Sequence, residues 1–301
     1  MGTSNGQPQL RLHGGVDMPA LGFGVYQTPP EQTADAVATA IADGYRLIDT
    51  AAAYMNEREV GEAIAASGVD RDDLFVTTKL WVSDYGYDTA LAACETSLRK
   101  LGLDQIDLYL LHQPVPSDLD LHVATWRAAE QLLADGKVRA VGVSNHTPPQ
   151  LRRLIERTEV VPAVNQVEVH PYFVQRQLRE VHEELGVVTQ AWSPLGGVKR
   201  YWGPDDPDET QDPLQHPTIL GLADTYGKTP AQVMLRWHID HGFCAIPKST
   251  RPERIAENID IFDFALNADE VAAIDALDTG ERGGPDPEVD HPEWFDVKIP
   301  D

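Results

Sequence analysis

Apolar residues in this chain gather in short runs that alternate with stretches of helical period. The runs fall at 21–27, 47–50, 74–80, 106–112, 138–144, 163–169, 187–192 and 243–247. Helical patterns fall at 31–43, 57–67, 88–101, 119–134, 149–157, 175–185, 217–226 and 252–260, with apolar side chains at the spacing of one buried face. Strands alternating with helices require right-handed crossovers and a parallel sheet. Eight such units in about 250 residues predict a closed (β/α)8 barrel of the TIM type, not an open sheet. Leu10 to Ala20 reads as a hairpin around Gly14-Gly15, and an extra helix over Ala268 to Leu277 follows the eighth unit. Residues 1–8 read as a loose tail. No repeat or linker divides the chain, so 1–301 is expected to form one domain.

Two connections exceed the ~2–6 residues usual in such units. One is 197–216, rich in Pro and Asp; the other is the tail 280–301, with Gly283-Gly284-Pro285. Both are expected to fold over the barrel mouth, where the strands end and the chemistry of this fold sits. The chain places Asp49 at the end of the second strand, Lys79 near the end of the third and His112 at the end of the fourth. Taken singly, each reads equally well as a solvated or structural strand-end residue. Adjacent strands lie about 4.8 Å apart, so the three can converge, with Tyr54 on the loop above them.

Charge then assigns roles. Asp49 holds Lys79. The cation is expected to lower the Tyr54 phenol from its ordinary value of about 10. Tyr54 gives its proton to a developing alkoxide, and His112 donates a hydrogen bond to a substrate carbonyl. This acid-assisted attack on a carbonyl still needs a nucleophile. The sequence offers no Ser or Cys elbow and no metal-ligand spacing, and a nicotinamide hydride fits.

With 48 acidic against 24 basic residues the net charge is −24, which argues against nucleic acid and anionic membranes as partners. Local cations are therefore informative. Lys248, Arg251 and Arg254, with Ser249 and Thr250, gather at a helix start marked by Pro252. Helix N-termini bind phosphate, and the 2′-phosphate of NADPH is a suitable target. The first strand carries no G-x-G-x-x-G turn, which argues against a Rossmann site. Ser144 and Asn145 end the fifth strand with small polar groups suited to a carboxamide. Gln166 lies within the sixth. Trp192, followed by Ser193-Pro194-Leu195-Gly196, offers an indole to stack on a flat ring. Cys94 and Cys244 read as buried thiols. The sequence lacks a long apolar run and a signal-like N-terminus, so a cytoplasmic monomer acting on a small carbonyl is expected.

Taken with Gly44-Tyr45-Arg46-Leu47-Ile48-Asp49-Thr50-Ala51, Tyr54-Met55-Asn56-Glu57, Thr78-Lys79-Leu80-Trp81, Gly142-Val143-Ser144-Asn145 and Ile246-Pro247-Lys248-Ser249, the chain closely resembles the aldo-keto reductase family over nearly its whole length. Within the family it looks most like the prokaryotic branch that includes 2,5-diketo-D-gluconate reductases. The resemblance implies a barrel that binds extended NADPH and a catalytic tetrad of Asp49, Tyr54, Lys79 and His112. It implies cofactor contacts from Ser144, Asn145, Gln166, Trp192, Ser193, Leu195, Gly196, Lys248, Ser249, Thr250, Arg254, Glu257 and Asn258. Tyr26, Trp81, His112, Gln113 and Trp192 would line the substrate pocket, with loops 201–216 and 280–301 as walls. The chain departs from the family at Gln113, where many members have Trp, and at His146, where Phe is usual. Two other readings are an NADP-binding ancillary subunit with little turnover and a Schiff-base aldolase using Lys79. Retention of all four tetrad side chains speaks against the first, and Asp49 beside Lys79 speaks against the second.

Overall fold

The computed structural model describes residues 7–196 and 212–300. An antiparallel hairpin, β1 (Gln9–Arg11) and β2 (Asp17–Pro19), precedes the main sheet. Eight parallel strands follow in chain order among the described residues: β3 (Phe23–Gly24), β4 (Leu47–Asp49), β5 (Phe75–Leu80), β6 (Ile106–Leu111), β7 (Val138–Ser144), β8 (Val164–Glu168), β9 (Val188–Trp192) and β10 (Cys244–Ala245). The first strand segment meets the last. Leu21 bridges Ala245 in parallel, Gly22 N donates to Ala245 O at 2.8 Å, and Gly24 N donates to Pro247 O at 3.0 Å. The sheet is therefore a closed (β/α)8 barrel. Glycine makes the closure possible: a Cβ on Gly22 would lie 2.2 Å from Leu47 Cδ2, and one on Gly24 would lie 3.0 Å from Ile246 O.

The helices ring the barrel. They are α1 (Pro30–Ala42), α2 (Glu57–Ala66), α3 (Tyr87–Leu101), α4 (Leu119–Ala134), α5 (Pro148–Ile155), α6 (Arg176–Leu185), α7 (Pro217–Tyr226), α8 (Pro230–Asp240), α9 (Pro252–Ile259) and α10 (Ala268–Asp275). The two-residue period of the strands sorts their side chains. Ile48, Val76, Leu80, Tyr109, Leu111, Val141 and Val143 join the large core cluster, which also takes in the inner faces of the helices. Each such side chain contributes about 1.5–3 kcal/mol on burial. Alternate positions join a second cluster, formed by Leu47, Phe75, Leu108, Leu110, Ala140, Val164 and Cys244 together with Leu12 and Met18 from the hairpin region. The hairpin thus packs against the apolar lower layer of the barrel interior. Two to four residues further along the same strand faces the layer turns polar, with Asp49, Lys79, Ser144, Gln166 and Gln190 all buried.

Three sequence expectations need correction. Residues 7 and 8 are not a loose tail: Gln7 is buried, its amide donates to Leu21 O, and Pro8 O accepts from Ala20 N. The last crossover holds two helices, since α8 follows α7 after a single short turn. Its start was legible as Thr229-Pro230-Ala231-Gln232, a capping box that the structure forms; the apolar run behind it obscured the period. The outer strands β3 and β10 are much shorter than the apolar runs that contain them. The expectation for 197–211 falls outside the described residues. Among the described residues no helix is long and apolar enough to cross a membrane.

Two glycines test the packing in opposite directions. A Cβ on Gly142 would lie 2.6 Å from Val164 O and 2.7 Å from Leu110 Cδ2, whereas one on Gly221, within α7, meets nothing within 4 Å. Gly142→Ala should therefore destabilise by about 1–3 kcal/mol through overpacking. Gly221→Ala should stabilise by roughly 0.5–1 kcal/mol by restricting the unfolded chain and favouring helix. Thermal unfolding of both variants checks this; shifts of the same sign would show that close approach at Gly142 is not what demands glycine.

Candidate active site

Asp49 ends β4, directly across from Thr77 on β5, and Lys79 follows two residues later on the same face. Lys79 Nζ donates to Asp49 Oδ1 at 2.6 Å and to Thr50 O at 2.8 Å, and lies 3.3 Å from Tyr54 Oη. All three ammonium protons thus have partners. The two charged side chains are 0% and 2% exposed. Asp49 Oδ2 accepts from Gln166 Nε2 at 2.7 Å, and the same nitrogen donates to Gln190 Oε1 at 2.7 Å. A buried pair satisfied on every side is costly to break, by about 3–5 kcal/mol when one partner is removed. Tyr54 sits in a short 3-10 turn, Ala52–Tyr54, which raises its ring over the ammonium at 4.7 Å.

Burial works against both charges of the pair. It pushes the Asp49 carboxyl up and the Lys79 ammonium down, and each is opposed chiefly by the other. For Tyr54 the expected lowering by Lys79 is not found. Burial first, then the charge of Asp49 and the neighbouring Tyr26, hold the phenol well above its ordinary value. The reason is geometric: the cation that would favour the phenolate is already neutralised by the carboxylate beneath it. Tyr54 therefore rests as a neutral phenol, the form that can give up a proton. Burial, aided by the Lys79 charge, holds His112 well below its ordinary value, so the ring is neutral. Its Nδ1 has no partner among the described residues, and the ring lies edge-on to Tyr54 at 5.6 Å and to Trp81 at 5.0 Å.

Aromatic rings build the walls. Tyr26 lies 5.0 Å from Tyr54. Trp81 Nε1 donates to Trp294 O at 3.0 Å, and the two indoles lie 5.7 Å apart. Trp294 was missed in the sequence, where an aromatic in a polar tail carries no signal of position. The structure brings the C-terminal segment across the mouth: Thr279 N donates to Tyr172 O, Gln150 Nε2 to Pro287 O, and Ser117 N to Asp290 Oδ1.

At the end of β7, Asn145 takes up φ 62°. Its Nδ2 donates to His112 O at 3.2 Å and to Gln113 Oε1 at 3.0 Å, and its Oδ1 accepts from Trp192 Nε1 at 2.8 Å. Gln113 thus meets Asn145 at the rim. Ser144 Oγ donates to Gln166 O at 2.7 Å. The Gln166 amide nitrogen is committed to Asp49 and Gln190, which leaves its side-chain carbonyl for any ligand. Other non-glycine residues with positive φ are Gln27, Met55, Gln175 and Ser193, all on the loops that follow barrel strands. Such backbone costs about 1–3 kcal/mol per residue and gathers at functional sites. Ser193 and Leu195 follow β9 in the half-buried turn, and Gly196 packs so closely that a Cβ would lie 2.6 Å from Pro213 Cγ.

Around the mouth from there, Lys248, Ser249 and Thr250 lead into α9, with Pro252 in its first turn. Among the described residues, Lys248, Arg251 and Arg254 have no carboxylate partner. Unpaired cations at a helix start in a chain of net charge −24 suit a phosphate-bearing ligand. Glu257 accepts from Thr229 Oγ1 at 2.8 Å, and Asn258 is buried beside it. His146, a departure from the family pattern, lies behind the site: its Nε2 is 2.7 Å from His122 Nε2 and its Nδ1 2.8 Å from Ser144 O.

A neutral phenol, a buried ammonium–carboxylate pair and a neutral imidazole at a barrel mouth form the arrangement of a carbonyl-reducing oxidoreductase. Residues 20–279 match the aldo/keto reductase family, and the chain belongs to that family. It is 53% identical over 280 residues to the morphine 6-dehydrogenase of Pseudomonas putida, covering 93% of this chain and 94% of that one. It is 44% identical over 281 residues to the methylglyoxal reductase DkgA of Escherichia coli (strain K12), covering 93% and 96%. Among solved structures, a point mutant of Gox0644 in complex with NADPH superposes with TM-score 0.86 at 41% identity, covering 95% of this chain and 99% of that one.

The buried histidines give the fold a pH dependence of definite sign. Burial holds His112 and His122 well below 6.5, His146 and His238 at about 4, and His182 at about 3. Between 6.5 and those values the unfolded chain binds protons that the folded chain refuses. Stability therefore falls as pH drops through that window. Asp49 and Glu57, whose carboxyls burial holds above their ordinary range, act in the opposite sense, but the histidines outnumber them. Denaturant midpoints at pH 7 and pH 5 should show the lower value at pH 5; equal or higher stability at pH 5 would contradict the assignment.

Proposed function

We propose that this protein reduces small aldehydes and ketones to alcohols with NADPH, and that Tyr54 delivers the proton. The observation that carries this reading is the Tyr54 hydroxyl held 3.3 Å from Lys79 Nζ above the Lys79–Asp49 pair. Bound NADPH supplies a hydride. The residues do the rest. A carbonyl oxygen seated between Tyr54 and the neutral His112 receives hydrogen bonds from both. As charge develops on that oxygen, the phenolic proton transfers to it. Lys79 lies close enough to stabilise the phenolate that remains, and its proximity matters at that moment more than in the resting state. Asp49 keeps the ammonium in place.

The cofactor fits the residues that ring the mouth. Asn145 and Trp192 form a hydrogen-bonded ledge beside the tetrad, suited to a nicotinamide ring and its carboxamide. The unpaired cations at 248–254 suit the adenosine phosphates, with Arg254 on the 2′-phosphate. The NADPH complex of the 41% identical Gox0644 supports this choice. Aromatic walls from Tyr26, Trp81, Trp192 and Trp294 suit dicarbonyls, aromatic aldehydes and keto sugars such as 2,5-diketo-gluconate. Similarity to proteins named methylglyoxal reductase and morphine 6-dehydrogenase supports breadth in the carbonyl partner.

Loss of nicotinamide absorbance in a mixture of protein, NADPH and methylglyoxal or a nitrobenzaldehyde tests the reaction. Tyr54→Phe should lower turnover at least about a hundredfold while NADPH binding persists; substantial residual turnover would remove Tyr54 from its role. Arg254→Ala should weaken NADPH by about tenfold or more through loss of a charge-assisted bond, with little change for NADH. Equal losses for the two cofactors would place the 2′-phosphate elsewhere.

A further inference from the structure

One fully buried carboxylate at the barrel mouth has no part in the tetrad. Glu168 ends β8 and is 0% exposed. Its Oε1 accepts from Gly283 N at 2.9 Å, and its Oε2 accepts from Gly284 N at 2.9 Å. His170 Nε2 lies 3.0 Å from Oε1. The positive charge of Arg282, whose guanidinium lies 4.9 Å over the Phe173 ring, also faces this carboxylate. A carboxylate with two successive backbone N–H groups and a histidine has most of its lone pairs filled, and such charge-assisted bonds are among the stronger ones. It joins segments more than a hundred residues apart in sequence.

What the join holds in place is Trp192. Glu168 and Trp192 are direct partners across the β8–β9 ladder. Gly284 lies against the far edge of the indole: a Cβ there would be 2.6 Å from Trp192 Cη2, 3.3 Å from Cζ2 and 3.2 Å from Glu168 Oε2. At its other end the indole N–H is fixed by Asn145 Oδ1 at 2.8 Å. The ring is therefore held at both ends, by the Asn145 side chain just after β7 and by the C-terminal strap. The same strap carries Trp294 to Trp81 ten residues further on.

We propose that Glu168 is a positioning residue for the reduction. By gripping Gly283 and Gly284 it seats the strap against Trp192, fixing the ledge on which the nicotinamide rests and, through the same strap, the Trp294 wall of the substrate pocket. Cofactor ring and carbonyl are thereby set by one latch. The idea rests on the reduction proposed above, with Trp192 as the stacking residue.

Two variants probe the latch from its two sides. Glu168→Gln keeps the volume but turns one acceptor into a donor facing an N–H. Gly284→Ala, on the strap and outside the barrel, adds one methyl group against the indole. The measurements are NADPH affinity from quenching of tryptophan fluorescence, the single-turnover rate of NADPH oxidation with methylglyoxal, and amide exchange across residues 280–296, all well below the melting temperature. Both variants should lose exchange protection over 283–296, weaken NADPH and slow the single turnover, each by about tenfold. Their effects should combine to less than the sum, because they break one contact. Lost protection with unchanged NADPH affinity and unchanged single-turnover rate would reduce Glu168 to a structural staple and overturn the proposal. Retained protection in Glu168→Gln would overturn it as well. If the native protein reduces none of the carbonyls offered, the reduction itself fails, while NADPH quenching and exchange still decide whether the latch positions Trp192.

Discussion

The ammonium of Lys79 has no access to water, and much of the site follows from that constraint. An ion this deeply buried is tolerable only with every proton engaged. Asp49, the Thr50 carbonyl and the Tyr54 hydroxyl meet that need. Asp49 in turn needs Gln166, and Gln166 reaches Gln190, whose amide touches Cys244 Sγ at 3.2 Å. A line of polar contacts thus crosses the barrel interior from β4 and β5 to β8, β9 and β10. The pair supports the chemistry and also defines where the apolar lower layer of the interior stops.

The same constraint explains why one inference from sequence failed while its neighbours held. Asp49, Lys79 and His112 were legible as a convergence because each ends an apolar run, and barrel topology lines up strand ends. The direction in which Tyr54 is perturbed was not legible. It depends on how much solvent is excluded and on whether the nearby cation is already neutralised, and neither is a local property of the sequence. Barrel closure was legible in the count of eight units, and the structure makes the close approach at Gly22 and Gly24. Helix α8 went unread although its capping box was in plain view. Glu168, Gly284 and Trp294 lie outside any motif, and their meaning arises only from a strap that returns from far along the chain.

Charge is distributed with the same economy. The chain is strongly acidic, yet the entrance to α9 keeps three basic side chains without carboxylate partners among the described residues. Some cations elsewhere are matched, as Arg71 and Arg139 are on the two oxygens of Asp107. Strained backbone is placed in a similar way. Asn145 and Ser193, both with positive φ, flank the positions from which ligand-facing groups project, and the surrounding hydrogen bonds hold them there.

The seam of the barrel carries a further consequence, for assembly. The strand that closes the cylinder comes from the start of the sheet and its partner from the end, so the seam cannot form before the last strand is in place. Bare edges invite pairing between chains. Here both edges are only two residues long in regular strand, set between Gly22 and Pro247. The close approach at Gly22 and Gly24 completes the cylinder and leaves the folded sheet without an open edge at the seam.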